Sequence, residues 1–268
     1  MLDNAMIPKI IWQTYKDDFN SMSIQAQRCA ATWKKQNRGY QYRYFNDQDA
    51  ADIILKDYGQ EWHDIFVNVP IGVVRGDIFR YLMIYKYGGV YSDIDTVCQV
   101  PISEWIDGPV ENKNKYNAIF STEIFKQDIN KSYRICQWTF AAAPGMEILK
   151  NVIDKVKHQL VTINWDSVTD INTTIHYLSG PDIFSLAILE AMGFASEVDG
   201  KLKADSNVDL LRNVSYVNES QYAKDNKIFI YGDNKSGLFS RRAVKHMYAG
   251  SSENWNDGLY VQWKKQTI

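Results

Sequence analysis

Val73–Val97, VVRGDIFRYLMIYKYGGVYSDIDTV, is the stretch that decides the reading of this chain. Apolar residues at Val74, Ile78, Leu82 and Tyr85 recur at steps of three and four, the helical period. Arg75, Asp77 and Arg80 interrupt them, and Asp77 and Arg80 lie one turn apart, so their side chains are neighbours. Gly88-Gly89 supplies a left-handed stop that residues with a β-carbon resist. Val90-Tyr91 then starts a strand, and Asp93 and Asp95 stand where it runs out. On an extended chain, side chains two residues apart point the same way. Two carboxylates are therefore expected at one strand end, beside a helix with its own charged pair. That is a place to hold a divalent cation, and the expected active site.

Working outward, Ile7–Gln13 (IPKIIWQ) is an apolar strand that starts behind a proline and suits a buried parallel position. A helix is expected from its cap, Ser23, to Gln36, with a stop near Gly39. Tyr40–Phe45 alternates as a strand should. Asn46 or Asp47 then caps a helix running to about Tyr58, and a short helix fits Glu61–Val67. This alternation over the first hundred residues predicts an α/β domain with a mostly parallel sheet. Further on, Ala118–Ser121 and Trp138–Ala142 read as strands and Met146–Leu160 as an amphipathic helix. Gly180-Pro181-Asp182 breaks the chain before a helix over Ile183–Met192, with Asp182 as its cap. Val198–Asn213 reads as a polar excursion, and Ile228–Tyr231 and Ala243–Tyr248 as short strands. With no repeats, low-complexity tracts or linkers, one domain over residues 1–268 is expected.

Composition sets bounds on function. At 268 residues the chain is long enough to bury a large core. Thirty basic residues against thirty-two acidic ones give a net charge of -2, which argues against a nucleic-acid partner. Eight Trp and seventeen Tyr suit a large aromatic core, with stacking faces for sugars or bases as the second reading. Cys29, Cys98 and Cys136 form no CxxC pair, so a reducing, cytoplasmic setting is expected. The start, MLDNAMIPKIIWQTY, carries acid early and only a short apolar run. No signal peptide or anchor is read there, which leaves at most a peripheral membrane contact through the aromatic tail.

The triplet Asp93-Ile94-Asp95 says little alone, because about one Asp-x-Asp triplet arises by chance in a chain this long. The sequence contains its own control, Asp47-Gln48-Asp49. That triplet opens a helix, where aspartates satisfy free backbone N–H groups. Asp93-Ile94-Asp95 instead ends a strand, and strand ends border the usual ligand crevice of open α/β sheets. A hard cation such as Mn²⁺ or Mg²⁺ takes one or two carboxylates from protein and shares its remaining positions with phosphates. A turn that Asp93 and Asp95 merely finish stays open as the alternative.

Three blocks, Ile7–Lys16 (IPKIIWQTYK), Ala31–Phe45 (ATWKKQNRGYQYRYF) and Arg75–Thr96 (RGDIFRYLMIYKYGGVYSDIDT), resemble the successive blocks of the Och1-like, family 32 DXD glycosyltransferases. The core block is also similar to that of the large clostridial glucosylating toxins. Gly180-Pro181 and His246 resemble later landmarks. The resemblance implies a GT-A fold, a nucleotide-sugar-binding half over 1–100, an acceptor-side half with a metal and lid segment over 101–268, and a retaining, Mn²⁺- or Mg²⁺-dependent transfer. It casts Asp95 as the metal ligand, Asp93 as the partner reaching the donor ribose or the metal, and His246 as a further metal or diphosphate contact. Asp77, Arg80 and Tyr91 fall at donor-binding positions, and Trp12 near the nucleotide base. Core roles for Trp12 and His246, and a plain Arg80–Asp77 pair, stay open. After His246 the family's Gly-Ser-Trp triplet is missing; Ser251, Ser252 and Trp255 stand instead.

The lead expectation is a hexosyltransferase acting from GDP-mannose or a UDP-hexose on a glycan, glycolipid or protein acceptor, in synthesis of a surface polysaccharide or glycoconjugate. Mannose is favoured by the resemblance. A second class is a phosphatase of the haloacid-dehalogenase kind, because Asp93-Ile94-Asp95-Thr96-Val97 also matches its nucleophile motif, with Asp93 phosphorylated. That motif normally closes a fold's first strand, however. A third is a non-catalytic carbohydrate binder that retains the fold.

Overall fold

The computed structural model describes residues 6–106, 116–122, 134–193, 195–198, 201–204, 216–217, 221–231 and 243–247. The first half alternates as expected: β1 (Ile10–Thr14), α1 (Ile24–Gln36), β2 (Gln41–Phe45), α2 (Asp47–Tyr58), α3 (Gln60–Asn68), α4 (Gly72–Tyr87), β3 (Gly89–Ser92), β4 (Thr96–Cys98) and α5 (Ser103–Ile106). There follow β5 (Ala118–Ser121), β6 (Thr139–Ala142), α6 (Glu147–Thr162), α7 (Ile171–Leu178) and α8 (Pro181–Ala191). The last elements are β7 (Ala195–Val198), β8 (Lys201–Ala204), β9 (Tyr216–Val217), α9 (Gln221–Asp225), β10 (Ile228–Tyr231) and β11 (Val244–His246).

The caps show why the helices start where they do. Ser23 accepts a hydrogen bond from the Ala26 amide and Asn46 accepts one from Asp49, so Asn46 rather than Asp47 caps α2. Asp182 does not cap α8. Gly180 holds the cap position and Pro181, with its preset φ, takes the first helical place. Asp182 is left in the first turn, paired with Arg134. α7 was not foreseen; Asp170 caps it by accepting from the amides of Asn172 and Thr173.

Among the described residues seven strands form the main sheet, in the order β2-β1-β3-β6-β5-β10-β9. Five point one way; β6 and β9 run against them, so the expected α/β class holds with a mixed, mostly one-directional sheet. Strand alternation sends Trp12, Tyr91, Phe120, Phe140 and Ile230 to one face, where they pack with α4, α6 and α8. Ile11, Val90, Ile119, Ala141 and Phe229 go to the other face, under Trp33 of α1. β4 leaves this sheet and pairs antiparallel with β11.

The middle of α4 is enclosed on all sides. Every residue from Asp77 to Ile84 is buried, so the apolar stripe read from the sequence is only part of its covered surface. Its exit is tightly built. Gly88 and Gly89 have φ of 66° and 108°, and a β-carbon on Gly88 would stand 2.7 Å from Pro8 and 2.8 Å from Pro144. On Gly89 it would meet the Ile10 carbonyl at 2.6 Å. The two glycines turn the chain from the buried helix straight into β3, which delivers Asp93 to the carboxyl edge of the sheet.

Candidate active site

β3 stops at Ser92, so Asp93–Asp95 is a turn and not the extended segment expected. The Asp93 carbonyl accepts from the Thr96 amide (3.2 Å), the Thr96 hydroxyl (2.5 Å) and the Gln13 side-chain amide (2.9 Å). The Asp93 amide in turn donates to Trp138 O on the β6 side (2.8 Å). Ile94 is buried against Met22, Ala26 and Ala30, which pins the centre of the turn to α1. The main chain of the triplet is thus fixed from β1, β6 and α1 at once; Asp95 is buried, at 8% exposure, and Asp93 is the more open of the two aspartates.

Asp93 and Arg80 meet directly. Arg80 Nη2 lies 3.0 Å from Asp93 Oδ1 and 3.2 Å from Asp77 Oδ1, and its Nη1 donates to Gln137 O. The guanidinium also lies over the Tyr91 ring, 4.7 Å from its centroid, and the Tyr91 hydroxyl donates to Asp93 Oδ1 at 2.7 Å. Burial alone would depress the Arg80 pKa, but Asp93, Tyr91 and Asp77 carry it above its ordinary value, so the cation is permanent. Asp77 is wholly buried. Ser179 donates to its Oδ2 at 2.7 Å, while Oδ1 faces Arg80 without a well-aligned hydrogen bond. Burial pushes its carboxyl up to about 7; Arg80 and hydrogen bonds from Ser179 and Gln137 pull the other way, and Asp93 adds to the rise.

These positions revise several expected roles. Trp12 does not offer a face to a base. It is fully buried, stacked between Phe45 (5.8 Å) and Tyr87 (5.5 Å), with its indole N–H donated to Gly88 O. Asp77 and Tyr91, at 0% and 1% exposure, reach the crevice only through Arg80 and Asp93. Arg80 pairs with Asp77, as one reading held, but with Asp93 as well. The backbone of His246 pairs with Thr96, next to Asp95, which brings β11 to the site; its side chain, like Ser251, Ser252 and Trp255, lies outside the described residues. Asp93 also ends the third strand of the chain and not the first, and its Oδ1 already serves Tyr91 and Arg80, which leaves the phosphatase reading without support.

Gln13, Gln137 and Ser179 were not picked out from the sequence, although they orient the whole arrangement. Only Ser179 had a nearby signal, the Gly180-Pro181 break. Nor did Asp47 stay a mere helix-opening residue: its carboxylate meets Arg75 of α4 at 2.8 Å.

A cation can be tested against the residues present. Asp93 and Asp95 offer oxygen ligands, and Asp93 keeps 24% of its side chain exposed. No cluster of three or more metal-ligating His, Cys, Asp or Glu side chains occurs among the described residues. A donor set this small suits an ion that completes its shell with water and phosphate, as Mg²⁺ and Mn²⁺ do, and not one caged by protein alone.

With this geometry in hand, comparison with known proteins is informative. Residues 23–111 match the glycosyltransferase sugar-binding region containing a DXD motif. That span runs from α1 past β4, so it includes Asp77, Arg80, Tyr91, Asp93 and Asp95 and omits Trp12 and His246. The resemblance read from the central block therefore holds. The chain is 27% identical over 201 residues to the initiation-specific alpha-1,6-mannosyltransferase of Schizosaccharomyces pombe, covering 71% of this chain and 50% of that protein. Its namesake from Candida albicans is 26% identical over 210 residues, covering 71% and 54%. The chain thus spans about half the length of these curated relatives. Among solved structures, the catalytic domain of alpha-toxin from Clostridium novyi is similar with a TM-score of 0.40 and 12% identity, over 69% of this chain and 73% of that one.

Proposed function

We propose that this chain is a retaining, metal-dependent glycosyltransferase that moves a hexose from a nucleotide sugar to a hydroxyl of a glycan, glycolipid or protein. The observation that carries the reading is the pairing of Arg80 with Asp93 at the carboxyl end of β3. A permanent cation stands beside the carboxylate turn, where a sugar diphosphate would bring its negative charge. Mannose is the favoured sugar because both reported relatives are mannosyltransferases by name. GDP-mannose is then the first donor to test, with UDP-hexoses next.

Asp95, with Asp93, would hold Mn²⁺ or Mg²⁺, which when bound neutralises charge gathering on the departing diphosphate. Arg80 releases part of its contact with Asp93 to the donor and orients the sugar or its phosphates. Asp77 and Tyr91 keep that guanidinium and that carboxylate in place. An acceptor hydroxyl then attacks the anomeric carbon on the face that the leaving group vacates, with the leaving phosphate oxygen taking its proton. The 1–100 and 101–268 halves would serve donor and acceptor respectively. Cys29, Cys98 and Cys136 are all buried. No helix among the described residues is long and apolar enough to cross a membrane.

The test is hydrolysis or transfer across a panel of GDP- and UDP-sugars, with Mn²⁺ and with chelator. Metal-dependent release of nucleoside diphosphate from one of them is expected, with the product anomer matching the donor. Turnover of p-nitrophenyl phosphate with no nucleotide-sugar activity would overturn the reading.

A further inference from the structure

A second polar cluster stands close to the donor-side residues and takes no part in the chemistry above. Arg134 Nε donates to Asp182 Oδ1 at 2.6 Å and its Nη2 to Oδ2 at 3.3 Å, a two-pronged pair. The same Nη2 lies 3.0 Å from His176 Nδ1. A guanidinium can only donate, so Nδ1 accepts and the neutral ring carries its proton on Nε2. Burial and Arg134 both lower the His176 pKa, against the pull of Asp182 and Asp170, which keeps the ring neutral near pH 7. The three side chains are 28%, 14% and 29% exposed, so they form a rim and not a core. Beside them Tyr177 is 43% exposed, and both Asp182 and Arg134 act electrostatically on its hydroxyl.

The fold ties this rim to the site by two routes. The stretch from Trp138 back to Arg134 leaves the carboxyl end of β3, giving Trp138 O to the Asp93 amide and Gln137 O to Arg80 on the way. The turn between α7 and α8 carries Ser179, which donates to Asp77; His176 lies three residues before it and Asp182 three after. The rim is therefore on the β6 side of Asp93, across from the β1–β2 edge.

We propose that Tyr177, His176, Arg134 and Asp182 form the subsite for the acceptor sugar, an inference that rests on the glycosyltransferase reading. A pyranose offers adjacent hydroxyls on its edge and a C–H face on its ring. Its recognition calls for a carboxylate to accept, fixed N–H groups to donate, and an aromatic surface to cover the ring. All three kinds are present here, held by one another before a ligand arrives, which lowers the cost of binding. An ion pair that only fastened α8 to the stretch before β6 would make no use of an exposed tyrosine beside it.

The test reads binding directly, apart from turnover. Methyl α-D-mannopyranoside, methyl α-D-glucopyranoside and methyl β-D-galactopyranoside are titrated into the full chain and followed by saturation-transfer NMR. Wild type should bind at least one of them. Tyr177→Ala should weaken that binding about fivefold, the worth of one aromatic contact, and Tyr177→Trp should restore it. Asp182→Asn should weaken it further, with circular dichroism checking that α8 is intact. Val161→Ser, at an exposed position of α6, should bind as wild type does. Equal binding by wild type and Tyr177→Ala, or no binding of any hexoside by wild type, would overturn the subsite. Failure of the transferase reading shows separately, as absence of turnover with every donor in the panel.

Discussion

Asp77 is the residue whose surroundings most oppose its charge. Its carboxyl is fully buried and pushed up to about 7, although Arg80 stands beside it. A folded-state value above the ordinary 3.8 means that the folded protein holds this proton more tightly than the unfolded chain. The resulting stability is fully present below the ordinary value and is lost as pH rises through about 7. Asp77→Asn mimics the protonated form, so wild type should lose ground against this variant between pH 4 and pH 7, as followed by thermal melts across that range. Parallel curves would mean that Arg80 already keeps Asp77 ionised. Asp95, at 8% exposure, is buried too, at the end of the turn, where its carbonyl accepts from the Met247 amide. Asp95→Asn should abolish metal-dependent nucleotide-sugar turnover and leave the far-ultraviolet circular dichroism unchanged; wild-type turnover in Mn²⁺ would place the cation elsewhere. The meeting of Arg80 with the Asp93 turn was legible because charged residues interrupting an apolar helix, then closing a strand, have few structural uses. Trp12 stayed between two readings for the converse reason: an aromatic residue in an apolar strand is equally suited to a core, where it lies, and nothing local tells which face will be covered by α4. The partners Gln13, Gln137 and Ser179 are common polar residues brought to the site only by the tertiary fold, 42 to 166 residues apart, so no local pattern could reveal them.

At the scale of elements, α4 and its exit explain why the central block reads so clearly. A helix whose middle is buried on every side, followed by two glycines held against Pro8, Pro144 and the Ile10 carbonyl, has little freedom in sequence. Gly88→Ala would force a β-carbon into a positive φ and into contact with two proline rings that cannot rotate away. This variant should fail to accumulate as folded protein, or melt far below wild type, as judged by soluble yield and circular dichroism. A near-wild-type melt would show that the turn relaxes more easily than its packing suggests. The α2 start behaves differently. Asn46 is its cap, so Asn46→Ala should cost about 1 kcal/mol. Asp47→Asn removes the Arg75 bridge between α2 and α4, partly exposed on both sides, and should cost about 1 kcal/mol or less in chemical denaturation. Element boundaries followed the sequence at Ser23, Asn46 and Gly88-Gly89, whereas α8 starts ahead of the expected Asp182 cap. They failed at α7, where Asp170 and the spacing of Ile171, Ile175 and Leu178 were signals passed over in a less regular region, and at the Asp93 turn, where strand and turn residues are chemically alike.

At the scale of the whole molecule, residues 1–100 and the described residues after them do not have separate cores. The cluster on the α4 face runs from Trp12 through Phe79 and Phe140 to Phe184 and Ile230, mixing residues from before and after position 100. The sheet is interleaved in the same way: β3 sits between β1 of the first half and β6 of the second. Cutting the chain near residue 100 would strip β3 of its β6 partner and bare the α4 surface that α6 covers, leaving unpaired backbone and exposed apolar area together. Two consequences follow from that shared core. A fragment of residues 1–100 should remain unfolded or aggregate when expressed alone. The intact chain should unfold in one transition, with tryptophan fluorescence and far-ultraviolet circular dichroism tracing coincident curves in urea. Two separated transitions, or a soluble 1–100 fragment with a cooperative melt, would show that the halves are independent domains. The shared core also means that the Arg80–Asp93 cluster is built from both sides of position 100: Arg80 and Asp93 lie before it, while Gln137 and Ser179, which hold Arg80 and Asp77 in place, come after it.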